Sequence, residues 1–170
     1  MNLELSENEP ITISLSSFRS SALFDRTFDE GMALVEECAR YLDGRGRNES
    51  RELSRKAALI YAGESMRVTT RLMQAASWLL IQRAVQEGDM SAEDAASERY
   101  RLGAREICLG HREEGVDALP GTLVELLGKS ESLYRRIARL DDAFFQPGDI
   151  ESGVHSQLAR LNAVFGQDGS

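Results

Sequence analysis

The chain has 170 residues, 42% of them apolar and 28% charged, with three prolines, two cysteines and a net charge of −8. That length allows one domain with a real core, and the composition suits a helical protein in water. The negative charge argues against general affinity for nucleic acid. No apolar run approaches the roughly 18 residues of a membrane span, which excludes a membrane role by the same reading.

Met1 to Pro10 are acidic and polar, the opposite of a secretory signal. Cys38 and Cys108 stand far apart in apolar surroundings, which predicts reduced thiols and a cytoplasmic protein. Residues 1–15 read as a flexible arm in which Ile11, Ile13 and Leu15 alternate with Thr12 and Ser14. Ser16 or Ser17 is expected to cap a first helix from Phe18 to Leu42, because a serine oxygen accepts from the free N–H groups of a first turn. Its apolar stripe is Phe24, Phe28, Met32, Val35, Ala39 and Leu42, and Asp43-Gly44-Arg45-Gly46 is expected to end it.

A second helix is predicted from Arg51 to Glu87, a stretch with no proline and a single glycine, Gly63. Asn48 or Ser50 is its expected cap. Tyr61, Ser65, Val68, Leu72, Ala75 or Ala76, and Leu79 repeat at helical spacing, flanked by Met66, Met73, Leu80 and Ala84. At 1.5 Å per residue this makes a rod of roughly 50 Å, longer than its neighbours. Met73, Trp78 and Leu80 fall on the overhang, where they are expected in the core or in a dimer interface. Ser91, with Glu93 and Asp94, signals a short helix from Ala92 to about Tyr100. The glycines of residues 103–119 predict a mobile loop. A third helix follows from Thr122 to Phe145, with Leu123, Leu126 or Leu127, Ser130, Leu133 or Tyr134, Ile137, Leu140 and Phe144 in near-heptad order. Pro147-Gly148 ends it, and residues 147–170 read as a flexible tail with Val154, Leu158, Leu161 and Phe165 on one face. The expected fold is all-α: an antiparallel three-helix bundle over residues 16–146 with one long central helix, a short extra helix and flexible termini. The surplus apolar face is expected to be covered by the short helix or by a second copy, and an isologous homodimer is the commonest solution.

The residues offer little for catalysis. His111 and His155 have no second ligand at metal spacing, and Glu36-Glu37 and Glu113-Glu114 diverge by about 100° on a helix. No phosphate loop, nucleophile elbow or zinc motif occurs. We expect no catalytic, cofactor or metal site. Charge is unevenly spread: Arg40 to Arg83 hold nine Lys or Arg against four Asp or Glu, a local +5, while the other 126 residues carry −13. Within this basic middle, Arg67 and Arg71 lie one turn apart and are candidates to clasp a partner's carboxylate or phosphate; the plainer reading is a pair of surface arginines satisfied by acids of the first helix such as Glu30 or Glu37. The tail stripe of Leu158, Leu161 and Phe165 is a second partner-binding candidate, as a helix-in-groove peptide; the other reading is that it docks back on its own bundle.

Three stretches carry a resemblance. They are Arg71-Leu72-Met73-Gln74-Ala75-Ala76-Ser77-Trp78-Leu79-Leu80 with Gln82-Arg83-Ala84-Val85, then Ser97-Glu98-Arg99-Tyr100-Arg101-Leu102, then Leu119-Pro120 leading into the third helix; Arg105-Glu106-Ile107-Cys108-Leu109 fits as well. Over about residues 18 to 145 the chain resembles the alphaproteobacterial RcdA family, regulator of CtrA degradation. The resemblance implies a three-helix bundle, typically dimeric, that serves as an adaptor of the ClpXP protease. Such an adaptor binds cell-cycle regulators and helps present them for degradation together with companion adaptors. It implies no catalytic motif. The alternative reading is a DNA-associated helical regulator using the basic patch of the second helix, against which stand the net charge and helices too long for a helix-turn-helix.

Overall fold

The computed structural model describes residues 14–145. Ile11 and Ile13 of the expected arm, and Val154, Leu158, Leu161 and Phe165 of the expected tail, lie outside the described residues. Among the described residues seven α-helices follow in order: α1 (Leu15–Arg19), α2 (Ala22–Asp43), α3 (Arg45–Arg51), α4 (Arg55–Glu87), α5 (Ala92–Ala95), α6 (Arg105–Leu109) and α7 (Gly121–Phe144), with 3-10 turns at Glu98–Tyr100 and Val116–Ala118. No strand occurs among the described residues, and the fold is all-α.

The expected first helix is two. Ser14 caps α1 by accepting from the Ser17 N–H at 3.1 Å, and Ser21 caps α2 by accepting from the Phe24 N–H at 3.3 Å; Ser16 and Ser17 sit inside α1. The break at Ser20-Ser21 turns Phe18 inward, edge-on to Phe24 at 5.6 Å and against Phe144 at 5.5 Å. It also buries Arg19, whose Nε donates to Gln82 Oε1 at 2.9 Å. Gly44 ends α2, but a third short helix intervenes before the long one. Gly46 in it admits no side chain, since a Cβ would fall 2.7 Å from the Tyr61 hydroxyl and 2.8 Å from the Tyr41 ring. α4 therefore starts at Arg55. Its cap is Ser54, which accepts from the Ala57 N–H at 3.2 Å, rather than Asn48 or Ser50. It ends at Gly88 with a left-handed φ of 82°, which glycine adopts without steric penalty.

α2, α4 and α7 pack pairwise on one another. Arg83, at the end of α4, bonds Asp25 near the start of α2 at 3.2 Å, while Gly46 just past α2 meets Tyr61 near the start of α4; these two helices run in opposite directions. Lys129 meets Glu37 at 3.3 Å and Arg136 meets Glu30 at 2.6 Å, so α7 also opposes α2. Arg71 reaches Leu127 O at 3.5 Å and Trp78 reaches Asp141 at 3.0 Å, so α4 and α7 run in the same sense. The antiparallel pairing thus belongs to α2 with each neighbour. Getting from the end of α4 back to the start of α7 requires residues 88–120 to return along the bundle.

That return segment is structured. Ala95, Leu102, Cys108, Val116 and Leu119 are buried. Between Gly103 and Gly115 it descends α4 residue by residue: Gly103 against Gln74, Cys108 against Arg71, His111 against Arg67, Glu113 against Glu64 and Gly115 against Ile60. The core lies between α2, α4 and α7, centred on Phe24, Val68, Leu79, Leu123, Leu126, Leu133 and Ile137.

The inner line of α2 departs from the expected stripe. Phe24, Thr27, Gly31, Leu34, Cys38 and Tyr41 are buried, whereas Phe28, Met32, Val35 and Leu42 are half-buried flanks and Ala39 is exposed. The closest approach between helices is made by small residues: a Cβ at Gly31 would lie 2.7 Å from Leu79 Cδ1. Choosing the bulkiest apolar residues as the core stripe picks the shoulders of such a contact and misses its centre.

Candidate protein-docking face

α4 has its polarity turned inside out. Between Ala57 and Gln82 its charged residues are Glu64, Arg67 and Arg71. Glu64 and Arg71 are buried, at 0% and 1% exposure, and the Arg67 side chain is mostly covered. The cause is the return segment, whose irregular backbone groups need partners that an apolar helix face cannot provide. Arg71 Nε donates to Cys108 O at 2.8 Å, Arg67 Nη1 donates to His111 O at 2.6 Å, and the Gly103 N–H donates to Gln74 Oε1 at 3.0 Å. Glu64 Oε1 accepts from the Glu113 N–H at 3.5 Å and pairs with Arg67 at 3.4 Å. Burial lowers the pKa of the Arg71 guanidinium, an effect opposed by nearby Glu131.

Among the described residues the opposite side of α4 is bare and apolar. Leu59, Met66, Met73 and Leu80 follow one another at seven-residue steps and are 71%, 73%, 65% and 51% exposed. A seven-residue step keeps side chains on one helix face, the pattern of a seam made for another helix. Ala62, Gly63, Thr69 and Ser77, exposed beside them, are small. The hydroxyls of Thr69 and neighbouring Thr70 donate to the carbonyls of Ser65 and Met66, each at 2.8 Å. Both are thereby satisfied within the helix, which leaves their methyl groups as the outer surface. Among the described residues none lies within 4 Å of where a Cβ on Gly63 would sit. The bare face continues into a shallow apolar groove of about 170 Å³ between α2 and α4, lined by Val35, Ala39, Leu42, Leu72, Met73 and Ala76 among others. An exposed apolar strip of this extent, with no charge on the outward face of α4 over about 39 Å, has the character of an interaction surface.

The structure separates the candidates named from sequence. Arg67 and Arg71 stay together but point into the fold, where backbone carbonyls occupy them. Trp78 is buried, 2% exposed, with its indole N–H on Asp141; Met73 and Leu80 are on the open face. Leu158, Leu161 and Phe165 lie outside the described residues. Leu59 and Met66 complete the seam, and the seven-residue step itself was the signal that would have grouped them. Among the described residues no three His, Cys, Asp or Glu gather as a metal site would require, and no helix is long and apolar enough to cross a membrane.

Asp141 is the residue that sequence reasoning missed. It is fully buried, and its carboxylate collects the Trp78 indole, Arg101 Nε at 3.0 Å, Arg105 Nη2 at 2.9 Å and the Leu102 N–H at 3.4 Å. One buried anion thus ties the return segment to both long helices and fixes the back of α4 while its front stays open.

These features define an all-α bundle protein whose distinguishing surface is an uncharged helix face. A family model described as protein of unknown function (DUF1465) matches residues 15–165. The crystal structure of RcdA from Caulobacter crescentus is similar at 54% identity with a TM-score of 0.63, the match covering 76% of this chain and 97% of that one. The chain belongs to this family, the family of RcdA. No curated protein matches it.

Proposed function

We propose that the protein is a non-catalytic adaptor of the cytoplasm that binds regulatory proteins and helps deliver them to the ClpXP protease, working with companion adaptors and controlling the lifetime of cell-cycle regulators. Membership of the RcdA family supports the reading. The observation that carries it is the bare face of α4, because a delivery protein needs a rigid scaffold and a surface that other chains can occupy. The first occupant we propose is α4 of a second copy. A seam of Leu59, Met66, Met73 and Leu80 between small residues suits close helix pairing, and a homodimer would remove it from water.

DNA association draws less support. Between Arg67 and Arg83 the basic excess of residues 40–83 is spent within the fold, since Arg67 and Arg71 face inward and Arg83 pairs with Asp25; Arg40, Arg47, Arg51, Arg55 and Lys56 stay exposed, on a chain whose net charge of −8 opposes binding to phosphates.

The test is a timed degradation assay with purified ClpXP, companion adaptors and a candidate regulator, run with the wild-type chain and with Met66→Glu/Met73→Glu. Faster turnover with the wild-type chain, lost in the variant, supports the adaptor reading and places it on α4. No acceleration in any adaptor combination overturns it. Light scattering on the same samples reads the homodimer, which the variant should reduce to monomers. Binding to duplex DNA that weakens steeply with salt would favour the alternative.

A further inference from the structure

α7 turns outward a surface opposite in character to the α4 face. Arg135 and Arg139 lie one turn apart on it, both exposed, and Arg112 reaches across from the return segment. With Gly128, Glu131 and Ser132 they line an open basin of about 390 Å³. Glu131 is the one carboxylate among the described residues of that lining. Its Oε1 is 2.6 Å from Arg135 Nη2, and its Oε2 is 3.2 Å from Arg112 Nη2 and 4.0 Å from Arg71 Nη2. Arg71 is 1% exposed, and its Nη2 has no hydrogen-bond partner among the described residues. A single anion therefore serves three guanidiniums, and Arg139 adds a fourth with no ion pair among the described residues. The neighbouring acids are engaged elsewhere: Glu64 by Arg67, Glu30 by Arg136, and Asp142 by Arg105. The basin is cationic on a chain of net charge −8.

We propose that this basin binds an acidic segment of a partner protein, an extended stretch with Asp or Glu at alternate positions. The donors are strung along α7 rather than gathered on one point. Arg135 and Arg139 are separated by a rise of about 6 Å. Alternate side chains of an extended chain on one face are about 7 Å apart, so successive carboxylates meet successive guanidiniums, each able to pair bidentately. A single phosphate would engage one end and leave the rest unpaired. Buried Arg71 strengthens the field from behind, where water screens it least. Glu131 then acts as a resident competitor that holds the arginines in place until an incoming carboxylate shares them. The site is separate from the α4 face and its test does not depend on delivery to a protease.

The experiment is a fluorescence-anisotropy titration of the full chain with a fluorescein-labelled peptide of alternating Asp and Ser. Saturable binding that weakens as salt rises is expected. Arg135→Gln/Arg139→Gln should weaken it by about tenfold or more, the scale of a lost charge-assisted contact. Arg51→Gln, at an exposed arginine of α3 outside the basin, should leave it unchanged. Glu131→Gln, with circular dichroism confirming the fold, should tighten it by removing the competitor. Absence of saturable binding overturns the proposal, as does equal weakening by Arg51→Gln, which would show diffuse charge attraction. Displacement by inorganic phosphate at lower concentration than the unlabelled peptide, or tighter binding of a single-stranded oligonucleotide, would assign the basin to a different ligand and overturn it too.

Discussion

At the scale of single residues the fold rests on a few buried polar groups with specific partners. Asp141 is the clearest: a carboxylate with no exposure held by Trp78, Arg101, Arg105 and a backbone N–H. Removing its charge while keeping its shape leaves Arg101 without its anion and Arg105 with only the exposed Asp142, and losing one partner of a buried pair is severe. Asp141→Asn should cost about 3 kcal/mol or more in guanidinium unfolding; a loss under 1 kcal/mol, roughly an exposed pair, would show that the network contributes little. Glu131 gives a pH signature. Burial works against its ionisation, but bonds from Arg135 and Arg112 and the charge of Arg71 outweigh this and hold its pKa below the ordinary 4.5. A depressed carboxylate stabilises the fold above its unfolded pKa, and that contribution disappears as pH falls below 4.5 through the folded value. The stability gap between wild type and Glu131→Gln, measured by denaturant midpoint, should therefore narrow with acid through that window; a gap that is flat in pH would disprove the linkage. The thiols behave oppositely. Burial, with Glu37 beside it, raises the pKa of Cys38, and burial raises that of Cys108 against the pull of Tyr134 and nearby arginines. Since the thiolate is the reactive form, Ellman's reagent should label neither in the native protein and both after unfolding. Prompt labelling of the native chain would refute that assignment. Trp78 was legible as a buried residue from its apolar neighbours. Asp141 was not, because an acid on a helix reads as solvated unless its partners, here nearly forty residues earlier in sequence, are known to return beside it.

At the scale of elements, what the sequence showed followed from local chemistry and what it hid followed from tertiary contact. The long rod, its end at Gly88, the Ser91 start and the α7 stripe from Leu123 to Ile137 were readable because capping and periodicity are local properties. The split of the first helix, the extra helix α3 and the true inner line of α2 were not. Each depends on what lies opposite: Phe18 on Phe144, Gly46 on Tyr61, Gly31 on Leu79. The docking face was half legible. Its apolar members were visible in the periodicity, but only the return segment reveals which of two apolar stripes is covered. Gly63 separates the roles of the two faces. Glycine inside a helix costs about 1 kcal/mol relative to alanine, and none of the described residues occupies the space of the missing Cβ. Gly63→Ala should raise the melting temperature of the dilute chain by a few degrees, about 2–4 °C for a domain of this size. It should at the same time weaken self-association measured by sedimentation, by placing a methyl on the proposed seam. A gain in stability with unchanged association would move the seam elsewhere on α4.

At the scale of the whole molecule, the same-sense packing of α4 and α7 decides how charge is distributed. Two neighbouring helices that run the same way need a crossover as long as the bundle, and here residues 88–120 make it with only short helical pieces. Their backbone groups draw Glu64, Arg67, Arg71 and Gln74 to the inner side of α4. With its polar residues committed inward, α4 is left with Leu59, Met66, Met73 and Leu80 outward. The exposed seam and the pinned crossover are thus two consequences of one topology. Arg71 is the joint between them, since it alone bonds both the crossover, through Cys108 O, and α7, through Leu127 O. Arg71→Met keeps much of the apolar stem while removing both donors and the charge. Leu127 O keeps the Ser130 hydroxyl at 3.0 Å, whereas the buried Cys108 carbonyl left unpaired costs about 1–3 kcal/mol, so the loss falls first on the crossover, which has fewer contacts of its own than the long helices. Hydrogen exchange read by mass spectrometry should show peptides of residues 103–116 exchanging much faster in the variant than in the wild type, while peptides of α2, α4 and α7 keep their protection. If all peptides accelerate together, Arg71 supports the bundle as a whole. If none does, the crossover is held by its apolar anchors Cys108, Val116 and Leu119, and the inward turn of the α4 charges is a result of packing rather than its cause.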